Sequence, residues 1–187
     1  MPRPALTAAL AATLAAGCGA ERVPVPDASR PYTIEGPAAR EFPKAGVSFQ
    51  APADWRFDPG KDPLVATTSS GSATIAIWRY PRTEPLPRDD VALDQADGAL
   101  QQAATTRDEN LRVQQSRRVK VDGARGVQLL GTEQVAGHER QVRSTHVYAK
   151  GAEYVIDTYA ATRDFALIDR TVFQPLVRTF KIDPPQS

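Results

Sequence analysis

Ser144 and His146 are the two residues in this sequence whose types and spacing come closest to a catalytic pair. They lie in Glu139–Lys150, which alternates like a β-strand, and residues i and i+2 of a strand share one face. An imidazole beside a hydroxyl can remove its proton and make the oxygen a nucleophile. Such neighbours are also common as ordinary polar pairs, so a hydrolytic and a structural interpretation both stay open. A pocket holding both residues and a third group that orients the imidazole would favour hydrolysis.

The sequence motifs of the large enzyme families are absent. There is no G-x-S-x-G elbow, phosphate-binding glycine loop, H-E-x-x-H helix or C-x-x-C pair. One cysteine and two histidines fall short of a structural zinc set, and a single cysteine makes no internal disulfide. We therefore expect a non-enzymatic protein with no catalytic residues, no metal and no cofactor.

The single cysteine, Cys18, follows a short apolar leader. Residues 1–17 carry one charge, Arg3, and an alanine-rich run too short to span a bilayer, as in an export signal. The stretch "LAAGC" resembles the lipobox of bacterial lipoproteins, with Leu14 one place earlier than the family prefers. The resemblance implies a signal peptide over 1–17 and a diacylglyceryl and palmitate anchor on Cys18. The alternative is an ordinary secreted protein with a free thiol.

Proline and glycine divide the remaining chain. Five prolines lie between residues 19 and 43, and proline at this density disfavours helix. An extended tether is therefore predicted over 18–43. A folded domain is expected over 44–182 and a frayed tail over 183–187. Val47 and Phe49 alternate in "AGVSFQAPADW", which predicts the first edge strand of the sheet.

The domain itself shows a change of hydrophobic period. Two strands around Gly71 precede a helix over about Asp89–Thr106, and four alternating segments then follow with short glycine turns between them. A last helical stripe from Phe165 to Phe180 contains Pro175, where a break is expected. The pattern predicts an α+β fold with a central antiparallel sheet of about six to seven strands flanked by helices.

Three stretches, "VSFQAPADW", "GARGVQLLG" and "YVIDTYAATRDF…VFQPLVRTF", resemble the PsbP-like and DcrB-like group of small envelope and lumenal proteins. The resemblance covers about Ala45 to Ile182 and implies a PsbP-like α/β/α sandwich. It also implies binding to larger assemblies rather than a shared catalytic activity. No catalytic motif carries over, and a fold alone does not assign one.

Charge is balanced overall and uneven along the chain. Without Arg3 the chain has 22 basic and 22 acidic side chains, so nothing in the total favours nucleic acid. Residues 111–150 contain eight basic and three acidic side chains, whereas residues 88–110 contain two and six. The basic segment is either an ordinary solvated face or a surface for anionic lipid or an acidic partner. The candidates for such a surface are Arg117, Arg118, Lys120, Arg140 and Arg143.

Together these patterns predict a lipid-anchored domain on the extracytoplasmic face of a bacterial cell membrane. We expect it to act as a non-catalytic binding or accessory domain for an envelope partner or an apolar ligand. The alternative is a small envelope hydrolase with an unrecognised active site, and a third interpretation is a structural subunit of a membrane complex.

Overall fold

The computed structural model describes residues 30–135 and 137–186, so the leader and Cys18 lie outside the described residues. Ten strands form two antiparallel sheets, one of seven strands in the order β3-β4-β5-β9-β8-β7-β6 and one of three in the order β1-β2-β10. The strands are β1 (Pro37–Phe42), β2 (Val47–Pro52), β3 (Arg56–Pro59), β4 (Leu64–Ser70), β5 (Ala73–Pro81), β6 (Arg112–Val121), β7 (Ala124–Val135), β8 (His138–Ala149), β9 (Ala152–Ala161) and β10 (Lys181–Ile182). The helices are α1 (Asp90–Arg107), α2 (Thr162–Ile168) and α3 (Gln174–Thr179).

The four-stranded meander β6–β9 has the strands that the sequence predicts. Asp122 and Gly123 join β6 to β7 with φ of 49° and 77°, and Lys150 and Gly151 join β8 to β9 with φ of 48° and 71°. Two consecutive positive φ angles give the turn twist that matches paired strands. These two-residue turns fix the register of the meander.

The main core lies between the large sheet and the last helices. Ile75, Ile77 and Ile156 from the sheet are fully buried against the helical residues Ile168 and Phe173. The small sheet closes the same core, where the rings of Phe49 and Phe180 stack with centroids 5.8 Å apart. Burial of these side chains supplies most of the driving force for the fold, at about 1.5–3 kcal/mol each.

The strand of Val47 and Phe49 was expected to be the first edge of the main sheet, and this is wrong. Strand β2 is the centre of the separate three-stranded sheet, between β1 and β10. Strand β1 comes from residues that the proline content had assigned to the tether. Its prolines permit pairing because Pro37 begins the strand and Pro43 follows it.

The closing helix changes its winding where a break was expected. A turn of π-helix, Asp169–Phe173, separates α2 from α3, and Pro175 lies in the first turn of α3. Proline has no N–H to donate, and the widened turn before it accommodates that missing bond.

Helix α1 covers the opposite face of the sheet. Asp89 caps it by accepting a hydrogen bond from the backbone N–H of Ala92 at 2.8 Å. Leu93 and Ala104 are buried against Val127 and Leu129 of β7. With helices on both faces of a seven-stranded antiparallel sheet, the predicted α+β class is confirmed. No helix in residues 30–135 and 137–186 is long and apolar enough to cross a membrane.

Candidate functional site

Ser144 and His146 lie in a chain of hydrogen bonds on the α1 side of the sheet. The Oγ of Ser144 is 2.9 Å from Nε2 of His146, and Nδ1 of His146 is 2.7 Å from Oε1 of Glu153. Ser144 also donates to Oδ1 of Asp157 at 2.5 Å, and Arg82 donates to the other oxygen of Glu153. We call these five residues the serine–histidine network.

The register of two neighbouring strands assembles the network. Ser144 of β8 pairs directly with Asp157 of β9, and Tyr148 pairs with Glu153, which places Glu153 diagonally beside His146. Cross-strand partners on one face have Cβ atoms about 5 Å apart, within reach of these side chains. Arg82 follows β5, and its backbone N–H donates to the carbonyl oxygen of Gly151 at 2.9 Å.

The hydrogen-bond directions assign the protons of the network. Because the hydroxyl of Ser144 donates to Asp157, its oxygen can only accept from Nε2 of His146. An ionised Glu153 only accepts, so Nδ1 of His146 must donate to it. His146 therefore bridges Ser144 and Glu153 through its two ring nitrogens, and Arg82 is a second donor to Glu153.

Burial and hydrogen bonding act in opposite directions on Glu153. Its side chain is 4% exposed, and burial alone would raise the pKa of this carboxyl. The hydrogen bonds from His146 and Arg82 outweigh burial and hold the pKa below its ordinary value. Burial, followed by the nearby charge of Glu153, raises the pKa of the Tyr148 phenol. The network thus holds a stabilised anion in a poorly solvated place.

A serine hydrolase needs a nucleophile, a base, an orienting carboxylate and donors for the oxyanion. The serine–histidine network meets these requirements only in part. Ser144, His146 and Glu153 have the distances of a nucleophile, a base and an orienting carboxylate. Catalysis requires the hydroxyl proton to point at a neutral imidazole, whereas here it points at Asp157. Ser144 also lies within a strand paired on both edges, so the backbone amides around it hydrogen-bond to β7 and β9 instead of to an oxyanion.

A second polar cluster lies on the other face of the same strands. Arg143 donates to both oxygens of Asp169 at 2.8 Å, and Gln174 donates to Oδ2 of Asp169 at 2.7 Å. Gln128 accepts from Arg143 at 2.7 Å and from Arg117 at 2.6 Å. We call Arg143, Asp169, Gln174 and Gln128 the arginine–aspartate cluster, and it attaches the π-helical turn to the sheet.

The five candidate basic residues do not lie on one surface. Arg143 and Arg117 belong to the face of the arginine–aspartate cluster, whereas Arg118 and Arg140 lie on the α1 face. Arg118 forms ion pairs with Asp90 and Asp94 of α1. Arg140 forms an ion pair with Glu133, with a distance of 2.5 Å between nitrogen and oxygen. Lys120 is exposed on β6. Acidic residues of α1 thus pair with Arg118 and with Arg125 of the meander.

Two cavities in the described part of the chain are each lined by both polar and apolar atoms. One, of about 90 Å³, lies between β3, β4 and β5 and is lined by Arg56, Asp58, Thr67, Ser69 and Thr74. The other, of about 430 Å³, is an open groove beside α1 and β6, lined by Gln101, Gln102, Thr105, Leu111, Arg112 and Val113. Neither is lined by the serine–histidine network. Within the described residues, no three histidine, cysteine or acidic side chains converge on a metal site.

Comparison with solved structures identifies the fold. Cyanobacterial PsbP (CyanoP) of Synechocystis sp. PCC 6803 superposes with a TM-score of 0.62, covering 80% of this chain and 94% of CyanoP at 11% identity. The fold is PsbP-like. No family model and no curated protein sequence matches the chain.

Two further PsbP-like neighbours come from very different cells. LpqN, involved in cell envelope biogenesis of Mycobacterium tuberculosis, has a TM-score of 0.55 and 17% identity over 74% of this chain and 83% of LpqN. The Ran-binding protein Mog1p of Saccharomyces cerevisiae has a TM-score of 0.54 and 10% identity over 80% of this chain and 97% of Mog1p. At these identities the likeness establishes the fold alone.

Sequence reasoning found Ser144 and His146 and missed their partners Glu153, Asp157 and Arg82. A signal for two of them existed in the sequence. A two-residue turn at Lys150-Gly151 pairs residue 149 with 152, and counting outward pairs 144 with 157 and 148 with 153. Arg82 joins from a different hairpin, so no local count reaches it.

Proposed function

We propose that this chain is a lipid-anchored extracytoplasmic lipoprotein whose PsbP-like domain binds an envelope partner without catalysing a reaction. The observation that carries the non-catalytic assignment is the direction of the Ser144 hydroxyl, which donates to Asp157 rather than to His146. A serine held in this way is a structural donor and is not activated for attack.

The neighbours support a binding or accessory role. LpqN is described as involved in cell envelope biogenesis and Mog1p as Ran-binding, and both share the fold over most of their length. The lipid anchor is a proposal from the sequence around Cys18.

The anchor is tested by exporting the full chain from a bacterial host and measuring its intact mass. We expect loss of residues 1–17 and the added mass of acyl chains on Cys18. Two acyl chains hold a protein stably at a membrane, because each buried methylene contributes about 0.8 kcal/mol. The Cys18→Ser chain should be found in the soluble fraction, and an unacylated wild-type chain would contradict the anchor.

The binding role is tested by crosslinking in intact cells, followed by purification and mass spectrometry. The wild-type and Cys18→Ser chains serve as a matched pair, since they share the folded domain and differ in attachment. We expect one envelope protein to be enriched with the wild-type chain over an unrelated lipoprotein of similar abundance. Enrichment equal to that of the unrelated lipoprotein would contradict a specific partner.

A second candidate function, a small envelope hydrolase, is favoured by the distances between Ser144, His146 and Glu153. In that mechanism Ser144 Oγ attacks an ester carbonyl, its proton passes to His146 Nε2 and then to the alkoxide leaving group, and water later releases the acyl group. A fluorophosphonate probe distinguishes the two candidates. Labelling that Ser144→Ala abolishes and Ser116→Ala leaves intact would establish the hydrolase. An unlabelled wild-type chain would contradict the hydrolase.

A further inference from the structure

Strand β6 forms one edge of the seven-stranded sheet. It runs from Arg112 to Val121 and pairs with β7 on one side alone. An edge strand presents a row of backbone N–H and C=O groups that have no partners in the sheet, and these are a template for one more strand. Proteins often bind an extended segment of another chain by adding it to such an edge.

The other edges of the two sheets are short or contain proline. Strand β3 has four residues and ends at Pro59, and β10 has two residues. Strand β1 has six residues and begins at Pro37. Short length and proline both limit the addition of a strand. Among the described strands, β6 is the one sheet edge that is ten residues long and free of proline.

The turn after β6 determines which of its backbone groups face outward. Val121 and Ala124 are the first and last residues of the two-residue turn, so they form a hydrogen-bonded pair. Bonded and non-bonded pairs alternate along an antiparallel ladder. Lys120, Arg118 and Ser116 therefore turn their N–H and C=O groups away from β7 and toward the open edge.

The charges of β6 determine which kind of strand it can accept. Its side chains include Arg112, Arg117, Arg118 and Lys120 and no acidic residue. Opposite charges facing each other across a strand pair are stabilising, and like charges are destabilising. Pairing of β6 with a second copy of this chain would bring basic side chains together. An acidic strand would be attracted to the same edge.

The two faces of an added strand would meet different surroundings. On the α1 face, Arg118 is already paired with Asp90 and Asp94, so further carboxylates would be repelled there. On the opposite face, Arg117 is exposed and donates to the neutral amide of Gln128. Because successive side chains of a strand point to opposite faces, a strand that alternates acidic and neutral residues matches both surroundings.

An open groove provides room for the neutral side chains. The groove of about 430 Å³ beside α1 reaches the start of β6, where Leu111 and Val113 line it. Gln101 lines it from the helix and donates to Asp97, which accepts from Ser116 of β6. The groove therefore lies on the β6 side of α1, and the groove and the strand edge favour the same partner segment.

We propose that the β6 edge binds an extended acidic segment of the envelope partner by β-strand addition. The acidic side chains of that segment lie on the face of Arg117, and its neutral side chains lie on the face of α1. Backbone hydrogen bonds supply affinity, and the alternating side chains supply specificity. This inference deepens the binding role proposed above and rests on it.

The test uses the ¹⁵N-labelled full chain and a synthetic peptide in which glutamate alternates with valine and threonine. In the presence of the peptide, we expect the amide protons of Ser116, Arg118 and Lys120 to exchange with solvent more slowly. The amides of Arg117 and Val119, which already bond to β7, should change little. This alternation is specific to strand addition, because a peptide held by charge alone protects no backbone amide. Chemical-shift changes without alternating protection, or no binding, would overturn the proposal.

Two altered peptides separate backbone pairing from charge. One carries N-methyl groups throughout, which keeps its charges and removes its N–H donors. The other has lysine in place of glutamate. We expect each to bind about tenfold more weakly than the parent peptide. Equal affinity of the N-methylated peptide would overturn strand addition, and equal affinity of the lysine peptide would overturn the preference for an acidic segment.

Variants of the chain assign the binding to β6. Arg117→Gln should weaken binding of the glutamate peptide about threefold through loss of one charge, and Arg56→Gln on the opposite edge strand β3 is the matched control. Lys120→Pro removes one outward N–H, and proline is tolerated at such an edge position. Lys120→Gln controls for the lost charge, so Lys120→Pro should bind more weakly than Lys120→Gln. Wild-type affinity in both Arg117→Gln and Lys120→Pro would overturn the proposal.

Photo-crosslinking in intact cells distinguishes this inference from the binding role itself. Benzoylphenylalanine is placed at position 115 on the β6 edge or at position 61 between β3 and β4. We expect the envelope protein enriched with the wild-type chain to crosslink from position 115 and not from position 61. Crosslinking from position 61 alone would reject the β6 edge and leave the binding role intact. Enrichment equal to that of the unrelated lipoprotein at both positions would contradict both.

Discussion

The two faces of the β8–β9 strand pair carry polar networks of opposite design. On the face covered by α2, Arg143 forms a two-bond ion pair with Asp169, and neither side chain is more than 11% exposed. On the face covered by α1, the serine–histidine network places His146 between Ser144 and Glu153, and Arg82 donates to the same carboxylate. Consecutive residues of one strand, Arg143 and Ser144, thus belong to two separate polar networks on opposite faces of the sheet.

The difference shows how similar polar residue types serve different purposes. The arginine–aspartate cluster joins two elements, the sheet and the π-helical turn. The serine–histidine network joins β5, β8 and β9, which are already paired by backbone hydrogen bonds. Its contribution depends on the protons it holds, and this makes the two networks separable by mutation and by pH.

The largest expected effect is loss of the arginine–aspartate pair. Arg143→Met leaves the buried carboxylate of Asp169 with Gln174 as its remaining donor, and removal of one partner of a buried pair typically costs about 3–5 kcal/mol. The free energy of unfolding in urea measures it. The double variant Arg143→Met with Asp169→Leu should recover part of the loss, because no buried charge is left unpaired. A double variant less stable than the single one would contradict this account.

Glu153→Gln should cost less, by about 1–3 kcal/mol at pH 7, since the amide retains one acceptor and loses the charge that binds His146 and Arg82. The comparison with Arg143→Met tests whether the stability of the fold depends more on the network under α2 than on the network under α1. The matched control is Glu139→Gln at the exposed start of β8, which should change stability little. A larger loss for Glu153→Gln than for Arg143→Met would reverse the comparison.

The serine–histidine network should also determine how stability falls in acid. Because the pKa of folded Glu153 is lowered, its contribution is complete above the ordinary carboxyl range and is lost as pH falls through the folded value. The contribution of Glu133 to stability changes with pH in the opposite direction. Burial raises its pKa despite Arg140, so its contribution is present in acid and is lost as pH rises through the folded value.

Stability measured between pH 6 and pH 3 should therefore fall less steeply in Glu153→Gln and more steeply in Glu133→Gln than in the wild type. Parallel curves for all three proteins would show that neither carboxyl contributes to the acid response. Arg143→Met should lower stability across this pH range, because it leaves the buried carboxylate of Asp169 without its guanidinium partner.

The elements of both faces were largely predictable, whereas the networks were not. Alternation and glycine turns predicted the meander and the helix behind Asp89, because these signals act within a few residues. The sequence shows Gly126 in the stretch "GARG", but the reason for a glycine at this position depends on β8. A β-carbon at residue 126 would lie 2.1 Å from the carbonyl oxygen of His146. Arg82 and Asp169 reach their partners through the tertiary fold, and charge counting alone grouped Arg143 with exposed arginines.

The serine–histidine network itself is probed by Ser144→Ala, with an expected loss of about 1 kcal/mol for the hydrogen bond to Asp157. Asp157 is 8% exposed, so the carboxylate left behind stays poorly solvated. Ser144→Thr, which retains the hydroxyl, should restore most of the loss if the added methyl fits. Equal losses for alanine and threonine would assign the effect to packing.

The smallest effect expected on the α1 face is a gain in stability, whereas the variants above lose stability. Thr74→Val replaces a buried hydroxyl that has no hydrogen-bond partner among the described residues by a methyl group of similar volume, which removes a desolvation cost and keeps the packing. The unliganded protein should gain about 0.5–1 kcal/mol in a urea titration. Thr68→Val on the opposite face is the control. A destabilised Thr74→Val would mean that the hydroxyl is satisfied by water in solution.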